Sequence, residues 1–203
     1  MLSVILVVLI GIAGTLAYLK AETTPVINTF SPSNIGLTLE ETATPGGSAT
    51  ENTYKMVPGV AISKDPEVTV TADIDCYVFV KVEESTNFDT YLTYTISDWN
   101  PVPNETNVYY REVSASADED NDGKNDVEAF YVLNGNSTYP NGVVTVDAGV
   151  TKTKMDALYN ADGTVNANSQ PKLTFTAYAI QKAGFESNIA GAWAEAQGQQ
   201  NAG

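Results

Sequence analysis

Nine consecutive residues, Asp118-Glu119-Asp120-Asn121-Asp122-Gly123-Lys124-Asn125-Asp126, hold the densest group of ligand-type side chains in the chain. Calcium takes about six to eight oxygen ligands, and alternate residues of a tight loop can turn theirs inward. Asp118, Asp120 and Asp122 occupy such alternate positions, and Gly123 supplies the sharp turn. The Lys124 carbonyl and Asp126 would complete the first half of a structural calcium site. An EF-hand also needs a bidentate glutamate at loop position twelve. Ala129 stands there and Glu128 falls one residue early, so no flanking helix pair is expected. The other reading is a solvated acidic turn between two strands, since Asp, Asn and Gly are turn residues in any case.

Other chemistry is limited by composition. The 203-residue chain has no histidine, which removes Ser-His-Asp and Cys-His nucleophiles and histidine zinc sites. Its single cysteine, Cys76, forms no intrachain disulfide and lies in the apolar run Cys76 to Val80, where a small buried hydrophobe is expected. We read the chain as a non-enzyme. Twenty-five acidic residues against ten basic ones give a net charge of −15. That charge disfavours nucleic acid and anionic lipid as partners. Trp99 with Tyr109 and Tyr110 suggests an aromatic glycan platform, or else ordinary strand packing. Asn104 and Asn136 begin N-x-S/T sequons.

Several elements must position these residues. Strand-type alternation or β-branched and aromatic enrichment marks Thr38 to Glu41, Glu67 to Thr71, Cys76 to Glu83, Tyr91 to Ile96, Val108 to Val113, Ala129 to Leu133, Val143 to Val146 and Leu173 to Ile180. Two short helices are expected. One spans Thr151 to Tyr159 with Thr151 as N-cap and Met155, Leu158 and Tyr159 on one face; the other spans Ser187 to Ala196. Thr42 to Asn52 and Asn100 to Asn107 read as loops. The expected fold is all-β, a jelly-roll or Ig-like β-sandwich with one or two short helices.

Residues 1–17 read as an uncharged secretory signal, with a retained membrane helix as the alternative. Ala17 satisfies the small-residue rule for cleavage before Tyr18 better than Ala21 does. Residues 18–34 follow as an extended segment, 35–186 as the sandwich, and 187–203 as a short helix and flexible tail. The exported chain would be secreted, to the extracellular matrix or cell surface, with no stable membrane association after signal removal.

Gly14-Thr15-Leu16-Ala17, then Asn28-Thr29-Phe30 and Ile35-Gly36-Leu37-Thr38-Leu39, form a recognisable series. So do Lys55-Met56-Val57-Pro58-Gly59, Ile62-Ser63-Lys64-Asp65-Pro66 and the strand Tyr77 to Val82. Over about 85 N-terminal residues the chain resembles the TasA/camelysin-like family of exported bacterial proteins, processed by a SipW-type signal peptidase. The resemblance implies a jelly-roll subunit of biofilm matrix fibres whose partner is itself, in a head-to-tail homopolymer. It also implies donor-strand complementation, in which an N-terminal segment of one copy completes the sheet of the next. Val26, Ile27 and Phe30, after Pro25, are the candidate donor-strand residues; the other reading is a leader that pairs within its own subunit. The alternative function is a monomeric cell-surface binding module stabilised by calcium, with a glycan or protein ligand.

Overall fold

The computed structural model describes residues 33–116 and 126–199, all within the compact unit Ser33–Gly203. It is an all-β sandwich, as the alternation of its strands predicts. Three antiparallel sheets carry ten strands among the described residues. The first orders β1 (Ile35–Glu40), β3 (Glu67–Ala72) and β8 (Glu128–Tyr131). The second orders β10 (Leu173–Gln181), β4 (Cys76–Glu84), β7 (Val108–Val113) and β6 (Asn100–Pro101). The third, smaller sheet orders β2 (Ala61–Ser63), β9 (Val143–Val146) and β5 (Leu92–Thr93).

Strand β4 explains the layering. Its sequence CYVFVKVEE is apolar at successive positions, as a strand covered on both faces must be. Cys76, Val78, Val80 and Val82 face the first sheet and pack with Val68, Val70 and Ala72 of β3. Tyr77 and Phe79 face the other way, against helix α3 (Ile189–Gln199). Fully burying a side chain of this size is worth about 1.5–3 kcal/mol, so β4 is the main cohesive element of both interfaces. By contrast, β3 reads EVTVTA and buries only alternate residues more completely, with its other side turned outward.

Helix α3 covers the outer face through Ala192, Trp193 and Ala196, with Ile189 packed alongside. The Trp193 ring lies 5.6 Å from Phe79 and 5.0 Å from Tyr178, centroid to centroid. Asn188 caps its start, its Oδ1 accepting from the Gly191 N–H at 2.9 Å. The helix continues to Gln199, beyond Ala196, where a tail was expected.

Two local expectations change. Tyr91 to Ile96 is not one strand: Phe88–Tyr91 forms a helical turn, α1, and only Leu92–Thr93 is extended. The turn buries Phe88 and Tyr91 together, three residues apart, and the Tyr91 hydroxyl donates to the Lys154 carbonyl at 3.0 Å. Helix α2 (Lys152–Asp156) has the expected cap, the Thr151 hydroxyl accepting from Lys154 N–H at 3.3 Å. It ends too early to place Tyr159 on its apolar face. Leu158 is buried, while Tyr159 is 48% exposed and bridges to Val165. Among the described residues, no helix is long and apolar enough to cross a membrane.

Candidate functional site

The sandwich has one side where two edge strands lie against each other, β1 from the first sheet and β10 from the second. Among the described residues each is hydrogen-bonded along one side alone, β1 to β3 and β10 to β4. The register fixes which main-chain groups are left over. The Lys172 carbonyl accepts from Ser85 N–H at 3.0 Å and Lys182 N–H donates to the Asp75 carbonyl at 2.8 Å. Antiparallel pairing alternates, so even-numbered residues of β10 bond to β4. The N–H and C=O groups of Leu173, Phe175, Ala177 and Ala179 therefore point away from the sheet. Their side chains pack into the core. The same parity holds in β1, where Asn34 accepts from the Asp73 N–H and Ile35, Leu37 and Leu39 turn inward.

A groove of about 700 Å³ opens beside these edges. Leu39 to Glu41 and Leu173 to Phe175 form one part of its lining, with Ala49 to Tyr54 and Lys64 forming another. Its polar end is a closed network. Lys64 Nζ lies 2.6 Å from Glu41 Oε2, with the two side chains only 12% and 10% exposed. Glu41 Oε1 accepts from Asn52 Nδ2 at 2.8 Å, and the Ser48 carbonyl accepts a second N–H from the same amide at 2.8 Å. Asn52 Oδ1 in turn accepts from Thr44 N–H at 2.7 Å and Thr44 Oγ1 at 3.0 Å. The Tyr54 and Phe175 rings stand 5.2 and 5.5 Å from Lys64 Nζ. Burial, and then the neighbouring Glu41 carboxylate, push the Tyr54 phenol well above its ordinary value.

Local chain chemistry makes this arrangement possible. Residues 42–52 are loop, as expected, and hydrogen bonds hold the segment in place: Thr42 N–H and Oγ1 donate to the Asp65 carboxylate at 3.1 and 2.7 Å. Gly47 lets the loop close on Asn52, because a Cβ there would meet Asn52 Oδ1 and the Glu51 carbonyl. Gly142, at φ +149°, lies so close to the Lys64 carbonyl that a Cβ would collide with it. Nothing in the spacing of Glu41, Asn52, Tyr54 and Lys64 marks them as a group.

The residues singled out from sequence fall differently. Asp118, Asp120, Asp122 and Lys124 lie outside the described residues, as do Ala17, Tyr18, Val26, Ile27 and Phe30. Asp126 is described and half-buried. Among the described residues no group of three or more His, Cys, Asp or Glu is placed to hold a metal ion. The aromatic platform does not form. Trp99 is buried with its Nε1 donating to the Tyr131 carbonyl at 2.9 Å, and Tyr109 and Tyr110 pack into cores on opposite faces of β7. Successive strand residues must point opposite ways, so adjacent tyrosines share no surface. Arg111 instead stacks 4.2 Å from Phe130 and 5.7 Å from Trp99. Cys76 is fully buried in the core, as its apolar run predicts.

Comparison with protein-family models, with curated proteins and with solved structures finds no match to this chain.

Proposed function

We propose that this chain is a secreted structural subunit that polymerises into extracellular matrix fibres, the N-terminal segment of one copy adding a strand to the next. The observation that carries this reading is the pair of edge strands β1 and β10 on one side of the sandwich, each with a free row of main-chain groups among the described residues. An edge nine residues long is a template for strand addition. Main-chain hydrogen bonds give such an addition its affinity and side-chain pockets its selectivity. The groove beside Leu173 to Phe175 is such a pocket.

The donor is Tyr18 to Phe30, which joins the sandwich directly before β1 in sequence. Pro25 suits an extended chain, and Val26, Ile27 and Phe30 supply the apolar side chains. A head-to-tail contact of this kind leaves an unfilled edge at one end and an unused donor at the other, so it propagates as a filament. Calcium at Asp118 to Asp126 would rigidify the acidic loop without taking part in chemistry.

Negative-stain microscopy of a chain beginning at Tyr18, beside one beginning at Ser31, tests the reading with and without calcium. Filaments from the longer chain alone are expected. Monomers from both would overturn it and favour a monomeric surface binding module.

A further inference from the structure

We propose that Lys64 and Asn52 become joined by a self-formed isopeptide bond, with Glu41 as the proton carrier. Amide formation from a lysine and an asparagine needs a neutral amine, an activated carboxamide and a group that moves a proton between the two nitrogens. A lysine, a carboxamide and a carboxylate that reaches both nitrogens meet here in one partly buried network. A single carboxylate touches both nitrogens, Oε2 at 2.6 Å from Lys64 Nζ and Oε1 at 2.8 Å from Asn52 Nδ2.

The carboxamide is oriented by its partners without ambiguity. The Ser48 carbonyl and the Glu41 carboxylate only accept, so the nitrogen of Asn52 must face them. The Thr44 N–H only donates, so the oxygen must face Thr44. Thr44 N–H and Oγ1, at 2.7 and 3.0 Å from Oδ1, are placed where negative charge develops during attack on Cγ. Around Lys64 Nζ, the Tyr54 and Phe175 rings and the low exposure of both ionic partners leave the pair little contact with water. Transfer of a proton from Lys64 to Glu41 gives a neutral amine and a neutral acid.

The step then balances. The Lys64 Nζ lone pair forms a bond to Asn52 Cγ, and the carbonyl electrons move to Oδ1, held by Thr44. Nζ gives up a proton and Nδ2 gains one through Glu41. The Cγ–Nδ2 bond breaks with its electron pair on nitrogen, the carbonyl re-forms, and ammonia leaves carrying the protons. Counting the proton first lent to Glu41, lysine ammonium and carboxamide become a secondary amide and one ammonium ion, and Glu41 ends as a carboxylate. No oxidant, metal or co-reactant is required. The bond ties the loop lining the groove to the end of β2, beside the edge of β10, and it does not depend on the fibre reading.

Intact-mass measurement and tryptic mapping of the full chain test this directly. The expected mass is lower than the sequence requires by that of one ammonia. Trypsin cannot cut at an acylated lysine, so the peptide ending at Lys55 should appear joined to an uncut Met56–Lys81. In Glu41→Gln, Asn52→Ala and Lys64→Arg the full mass should return, and in the first two Met56–Lys64 and Asp65–Lys81 should separate. Those two peptides released separately from the unsubstituted chain would overturn the proposal. So would an ammonia loss that maps to other residues, as at an Asn-Gly step.

Discussion

At the scale of single residues, burial decides what the reactive groups can do. The Cys76 thiol is pushed up from 9.0 to about 11, first by desolvation and then by the neighbouring Asp75 carboxylate. Native protein should therefore resist iodoacetamide at mildly alkaline pH and be labelled only when unfolded. The fold prefers the protonated thiol, so the contribution of Cys76 to stability is complete below pH 9.0 and disappears as pH climbs toward about 11. Urea midpoints measured across that window should fall more steeply for the unsubstituted chain than for Cys76→Val. Equal slopes would show that the thiol is not held protonated by the fold. Burial also shapes the Lys64, Glu41 and Asn52 group, where the little-exposed Glu41 carboxylate is held between two nitrogens.

At the scale of elements, the parity of β10 separates folding from association. Proline removes a single N–H, and on an edge strand the damage depends on which way that N–H points. The Ala177 N–H points outward, whereas those of Thr176 and Tyr178 bond to β4. Ala177→Pro should therefore keep the circular dichroism of the native sandwich while abolishing acceptance of a neighbouring strand. Thr176→Pro should lose a ladder bond, leave its β4 acceptor unpaired and destabilise by about 1–3 kcal/mol. Filaments built by Ala177→Pro with unchanged length and yield would exclude β10 as the receiving edge. The apolar pattern made β4 and β10 readable as strands. It carried no information about which of them would lie at an edge, because that depends on the order of strands in the finished sheet.

For the whole molecule, charge opposes the strand addition proposed here. Copies of a chain of net charge −15 repel one another until their fields are screened. At about 0.15 M salt the screening length is about 8 Å, shorter than the width of a sandwich, so only the docking faces still sense each other. Raising salt at low ionic strength, or adding millimolar calcium, should speed filament growth followed by light scattering. Rates independent of both would remove electrostatic repulsion as the barrier to assembly.

Local pattern was enough for the elements that a single face defines. Alternating valines in Glu67 to Thr71, the continuous apolar run of Cys76 to Val80 and the threonine before Lys152 each contain their own reason for being strand, buried strand or capped helix. Periodicity is a local property and needs no knowledge of the partner. The helical turn at Phe88–Tyr91, the opposite fates of Tyr109 and Tyr110 as side chains in two cores, and the meeting of Glu41 with Asn52 and Lys64 were settled by tertiary structure. These depend on which surfaces are covered and which loops return to the same place. Sequence spacing records neither, since contacts between residues 41, 52 and 64 form only once the ends of β1 and β2 and the loop between them have come together.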